Sequence, residues 1–211
     1  MTICNGIIEP ESVMIVTDSE GSRGASGTQA VTKIFPLPHL SAALTGAGSH
    51  VLMIGAMGAA NTMPGGFDQV REGFAAALDQ TWAHIRPQVA PIYLAAPGKS
   101  IDDQIVGLYG WSTRGSRMVG SVFIKEAPEA GFRREDLADG VMLQPWEPIE
   151  GRKLPRTLPE MVATAKLQRA FIKAQGTDLA AGGRLMVAQL TRNAITIAAT
   201  YDLDGDRWLN R

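Results

Sequence analysis

Thr2 stands one residue in from Met1, and Asp18 and Lys33 follow it across two short apolar, strand-like runs. These are the residue types an N-terminal threonine nucleophile requires. If Met1 is removed, Thr2 supplies both the attacking hydroxyl and, in its own α-amine, the base. An unperturbed α-amine has a pKa of about 8 and can take the hydroxyl proton near neutral pH without a histidine. A lysine beside that amine disfavours protonating it, which keeps it basic yet unprotonated. An aspartate would hold the lysine in place. Each residue also has an ordinary reading: Met-Thr as a plain chain start, Asp18 as the end of a strand, and Lys33 as one of 20 basic residues.

A second chemical feature is the turn Gly46-Ala47-Gly48, which leads into an apolar stretch with helical spacing. Backbone N–H groups at such a turn are left unpaired, and the absence of Cβ atoms lets a substrate carbonyl approach, so the turn could hold an oxyanion. The same glycines could simply start the helix. Asp202, Asp204 and Asp206 around Gly205 resemble a calcium loop but lack its closing glutamate, so a solvated terminal turn is expected. His39, His50 and His84 show no metal-ligand spacing and read as surface or capping residues. Cys4 shares the face of Thr2, but without an adjacent amine its expected role is packing. Serine nucleophile elbows and phosphate-binding glycine loops are absent.

The elements that must position these residues follow from periodicity. Thr2 to Ile8 and Val13 to Thr17 read as a hairpin around Glu9-Pro10-Glu11-Ser12, and Ala30 to Phe35 with Leu40 to Leu44 as a second one, after the glycine-rich loop 21–27. Helical spacing runs from Val51 to Ala60, and again through Phe67, Val70, Phe74, Leu78, Trp82 and Ile85. Pro87 to Ser100 reads as a connection. Strands are expected at Gln104 to Trp111 and Met118 to Ile124, and a short one at Val141 to Leu143, with 127–140 irregular. A helix around Leu158 to Phe171, with Gly176 placed to end it, precedes two closing strands, Arg184 to Leu190 and Ala194 to Tyr201. Helices grouped in blocks, rather than alternating with strands, call for an α+β fold in which two antiparallel sheets are sandwiched between helix layers.

Composition narrows the function classes. A chain of 211 residues fits one domain spanning 1–211. Twenty basic against 21 acidic residues gives a formal charge of −1, which argues against nucleic acid or an anionic membrane as partner. With one cysteine, no charged-then-apolar leader before the first strand and no apolar run of spanning length, a cytoplasmic, reducing setting is expected.

Together, the Thr2 strand, Val16-Thr17-Asp18-Ser19, Thr32-Lys33-Ile34, the Leu44-Thr45-Gly46-Ala47-Gly48 turn and Asp178-Leu179-Ala180-Ala181-Gly182-Gly183 resemble the proteasome β-subunit branch of the N-terminal nucleophile hydrolases, which includes simpler bacterial threonine proteases. The resemblance implies a four-layer αββα sandwich, matching the architecture argued from element order. It also implies Thr2 as nucleophile, with Asp18, Lys33 and Asp178 around it and an oxyanion-binding N–H near Ala47. A peptide or amide substrate, no cofactor and a homo-oligomer would follow, with any ATPase partner unspecified. The chain departs from the family pattern at several points. Ala181 stands where the family commonly has serine, no Gly-Ser-Gly turn precedes the third helix, and Thr157 is the nearest substitute hydroxyl. Glu20 replaces a common arginine, and the Thr2–Lys33 interval is one residue short, a slip that the loop 21–27 would have to absorb. A non-catalytic structural or assembly component on the same fold is the alternative reading.

Overall fold

The computed structural model describes residues 2–22, 28–94, 101–137, 140–175 and 181–209. Chain order is β1 (Cys4–Ile8), β2 (Ser12–Asp18), β3 (Glu20–Ser22), β4 (Thr28–Ala30), β5 (Ile34–Leu37) and β6 (Ala42–Ala47), then α1 (His50–Thr62) and α2 (Phe67–Leu94). The second half runs β7 (Gln104–Ser112), β8 (Arg117–Lys125), β9 (Arg133–Asp136), β10 (Val141–Gln144), α3 (Leu158–Ala174), β11 (Arg184–Thr191), β12 (Ile195–Asp202) and β13 (Arg207–Trp208).

The strands form a six-stranded sheet ordered β10-β1-β2-β11-β12-β13 and a five-stranded sheet ordered β5-β6-β7-β8-β9, with β3 and β4 as a separate ribbon. All pairings are antiparallel. Three apolar clusters stack through the molecule. The α1/α2 pair lies on the five-stranded sheet through Leu52, Phe74, Leu78 and Trp82 against Leu44, Leu108 and Phe123. The two sheets meet through Ile8, Val13, Ile15, Ile34, Tyr109 and Leu190. On the far side, α3 covers the six-stranded sheet with Met161, Val162, Ala165 and Ile172 against Ile3, Ile7, Val16 and Val187. The layers are therefore α, β, β, α, as the element blocks predict.

The period of two explains how β1 serves both cores. Ile3 and Ile7 point to α3, while Cys4 and Ile8 point to the other sheet. Gly6, on that second face, leaves room for Tyr109, whose hydroxyl oxygen would lie 2.8 Å from a Cβ at this position.

Three elements differ from expectation. α2 does not stop near Ile85 but runs through Pro87 and Pro91 to Leu94. Both prolines sit on the exposed face, where the carbonyls they orphan meet water, and buried Val89 extends the apolar stripe past Ile85. β9 forms inside the stretch read as irregular: its Arg-Arg-Glu-Asp sequence has no apolar period and pairs with β8 as an exposed edge, with Ser121 Oγ donating to Asp136 Oδ1 at 2.6 Å. The expected strand Ala30–Phe35 is split into β4 and β5, and residues 31–33 between them are in neither.

Candidate active site

β2 ends at Asp18, where the sheet interior meets the start of β1. The Asp18 carboxylate is fully buried, and each of its oxygens is used. Oδ1 accepts from Ile3 N at 3.0 Å and from Lys33 Nζ at 2.7 Å, and Oδ2 accepts from Gly182 N at 3.3 Å. Lys33, 7% exposed, also donates to Thr2 Oγ1 at 3.1 Å. One lysine thus joins the end of β2 to Thr2, two residues before β1, and the aspartate pins the backbone at Ile3. Burial is the largest influence on the Asp18 carboxyl and raises it. The charge of Lys33, its hydrogen bond and the two backbone N–H groups work against that rise.

Residues 23–27 of the loop expected to absorb the short Thr2–Lys33 interval lie outside the described residues, and a second irregular stretch separates β4 from β5. Lys33 lies outside both strands, so its side-chain direction is not dictated by strand alternation. The register that pairs Ile34 with Thr45 brings Lys33 to the end of β6 that carries Gly46 and Ala47. Cys4 ties the two sheets at the same level, its Sγ lying 3.2 Å from Thr45 Oγ1. Burial pushes the Cys4 thiol up to about 12, so it stays protonated at neutral pH and is no nucleophile.

Gly46 and Gly48 have packing reasons of their own. A Cβ on Gly46 would run into the Ile105 carbonyl oxygen and the Met53 sulfur, and Gly48 has φ of +118° where a Cβ would run into the Gln104 side-chain carbonyl. That Gln104 oxygen accepts from Ser49 N at 2.7 Å, and Ser49 Oγ caps α1 by accepting from Leu52 N at 3.4 Å. The glycine turn therefore both crosses close to β7 and launches α1.

The opposite wall is the segment beginning at Ala181. Ala181 is 2% exposed and packs in the α3-side core, so this position contributes no hydroxyl. Gly183 has φ of +69° and its N donates to Asp204 Oδ2 at 3.0 Å, while Arg184 N donates to Ser19 Oγ at 2.9 Å. Asp178 lies outside the described residues. Thr157 is not a substitute hydroxyl: it is the N-cap of α3, in a reciprocal capping box with Glu160. Asp202, Asp204 and Asp206 are spent on the turn and on Lys166, Arg169 and Arg207, and no metal-holding cluster occurs among the described residues.

His50, read from the sequence as a surface or capping histidine, is the first residue of α1, and its ring centroid lies 5.8 Å from that of Phe35. Burial and then the charge of Lys33 lower its pKa, which puts it within the field of the site. Its position directly after the glycine turn was the only available signal. Ser19 and Gly182 stand in stretches the sequence singled out, but the acceptor role of Ser19 Oγ and the donor roles of the Ile3 and Gly182 amides were not visible there, since they depend on register.

No family model matches the chain, and no curated protein matches it. Among solved structures, Anbu (ancestral beta-subunit) from Yersinia bercovieri is similar at a TM-score of 0.62 and 12% identity, covering 93% of this chain and 86% of that one. An Anbu (Gly-1) mutant from Hyphomicrobium sp. strain MC1 is similar at 0.61 and 11%, covering 96% and 89%. The fold is the proteasome-like αββα sandwich, and the chain is a proteasome-fold protein. Membership of the proteasome β-subunit and bacterial threonine-protease family, implied by the motif resemblance, is not upheld: without a matching family model or curated relative, identities of 11–12% carry the fold alone.

Proposed function

We propose that the protein is an N-terminal threonine hydrolase acting on amide bonds, with Thr2 as nucleophile once Met1 is removed. The observation that supports it is Lys33 Nζ, held at 2.7 Å by buried Asp18 and 3.1 Å from Thr2 Oγ1. In this reading the freed α-amine accepts the Thr2 hydroxyl proton as Oγ1 attacks the substrate carbonyl carbon, forming a tetrahedral oxyanion. The same amine then delivers that proton to the leaving nitrogen, and water releases the acyl group from Thr2. Lys33 keeps the amine unprotonated and Asp18 orients Lys33. Asp178 helps hold the terminus, and backbone N–H groups of the Gly46-Ala47-Gly48 turn receive the oxyanion. No cofactor is needed for these steps. A cytoplasmic homo-oligomer acting on peptides is the setting this chemistry fits.

A second reading is favoured by one specific observation. Ala181 is buried among apolar residues where a supporting hydroxyl would stand, and Thr157 is engaged in capping α3. On that ground the chain would be a non-catalytic structural or assembly component. Intact mass and N-terminal sequencing, combined with treatment by a threonine-directed epoxyketone, separate the two. The hydrolase gives a mass lacking Met1 and a covalent adduct that disappears in Thr2→Ala. Full retention of Met1 with no adduct removes the hydrolase reading.

A further inference from the structure

At one margin of the core they share, the two sheets leave a cleft. Trp111, near the end of β7, and Ile195, the first residue of β12, both pack against the inter-sheet cluster as partly buried residues. Ile195 also lines a space of ≈ 420 Å³, together with Pro36, Pro38 and Ile197 as apolar walls and Ser41 and Asn193 as polar side chains. No acidic or basic residue lines it. Its volume is that of a small-molecule site, about 300–1,000 Å³.

The charge stands at the rim. The Arg192 guanidinium carbon lies 5.2 Å from the centroid of the Trp111 ring, and Arg192 has no carboxylate within ion-pair distance among the described residues. Both polar side chains of the lining adjoin this contact. Asn193 is next to Arg192 in the chain, and Trp111 N donates to Ser41 O at 3.4 Å. An uncharged cleft thus has a cation and two neutral hydrogen-bonding side chains gathered on one side.

We infer that this cleft binds an amphipathic monocarboxylate, a small molecule with an apolar body and one terminal carboxylate. The body lies against Pro36, Pro38, Ile195 and Ile197, which covers apolar surface such as that of Ile197, 39% exposed. The carboxylate meets Arg192, whose planar fork can donate to both of its oxygens. Ser41 and Asn193 add neutral donors beside it. A single unpaired cation matches one negative charge, and the same cation disfavours an ammonium head group. The cleft is separate from the Thr2 site. Ser41 immediately precedes β6 and the Gly46-Ala47 turn ends it, so the six residues of that strand, roughly 20 Å, lie between them. The inference therefore holds whether or not Thr2 is a nucleophile.

Octanoate, octanol and octylamine share a chain and differ in head group, so calorimetric titration of the full chain with each reads the contribution of the charge. Methyl NMR then locates the site. Octanoate should saturate the protein and shift the Ile195 and Ile197 methyls, leaving Ile34, beside Lys33, unmoved. Octanol should bind roughly tenfold or more weakly, the difference a hydrogen bond to a charged group makes, and octylamine more weakly still. Arg192→Gln, with native circular dichroism and thermal midpoint, should lower octanoate to the affinity of octanol and leave octanol unchanged. Octanol binding as tightly as octanoate overturns the inference, as does full octanoate affinity in Arg192→Gln. Shifts centred on Ile34, or no saturation at millimolar octanoate, overturn it equally. So do shifts of Ile195 and Ile197 that follow protein concentration without ligand, which would mean that a second copy covers the cleft.

Discussion

Replacing Lys33 by methionine keeps the volume of the side chain and removes its charge. Asp18, fully buried, would retain the Ile3 and Gly182 amides but lose its ion-pair partner. Breaking a buried pair from one side costs about 3–5 kcal/mol, because it strands the remaining charge. For a chain of this size, at roughly 2–4 °C per kcal/mol, the thermal midpoint should fall by about 6–20 °C. The pH dependence carries the sharper test. The folded-state pKa of Asp18 lies above its ordinary 3.8, chiefly through burial. A raised carboxyl contributes stability that is present below its unfolded value and is lost as pH rises through its folded value. Removing Lys33 takes away the strongest opposing influence and raises the folded value further. The deficit of Lys33→Met should therefore be larger at neutral pH than in acid and shrink as the solution is acidified towards 3.8. Urea unfolding of wild type, Lys33→Met, Asp18→Asn and the double variant from neutral pH downwards gives both quantities. The double variant should recover most of the loss seen in either single one, since neither charge is then left alone. A deficit that does not change with pH, or single losses that add in the double variant, would refute the assignment of Lys33 and Asp18 as a coupled buried pair.

Glycine substitutions should separate tight crossings from open positions. Gly46→Ala drives a Cβ into the Ile105 carbonyl, and a destabilisation of about 1–3 kcal/mol is expected in urea unfolding. Gly58→Ala in α1 meets nothing within 4 Å and should stabilise by up to about 1 kcal/mol. Cys4, with its thiol pushed up to about 12 and 1% exposed, should resist a thiol-reactive chromophore in mildly alkaline buffer and react fully only when urea unfolds the chain. Fast labelling of the folded protein would contradict its burial between the sheets.

Much of the layer order was legible because it rests on periodicity. The alternation in Ile3, Ile7 and Ile8 and the three-and-four spacing from Phe67 to Trp82 are local patterns, and burial follows directly from them. The extension of α2 past two prolines was not legible, since it depends on which face of the helix the prolines occupy. β9 could not be read because a charged edge strand has no apolar period, and its pairing partner is β8.

The site divides the same way. Residue type alone marked Thr2, Asp18 and Lys33 as candidates for threonine-nucleophile chemistry. Composition also set the near-neutral charge, and the Ala181 substitution was plain in the sequence. Tertiary structure alone decided that Lys33 reaches both Asp18 and Thr2, because that depends on the strand break at residues 31–33 and on the register pairing Ile34 with Thr45. It also decided that Thr157 caps a helix and that His50 enters the field of Lys33. Distances between residues 15 or more apart in the chain are set by how strands align and layers pack, and neither is a property of any single stretch of sequence.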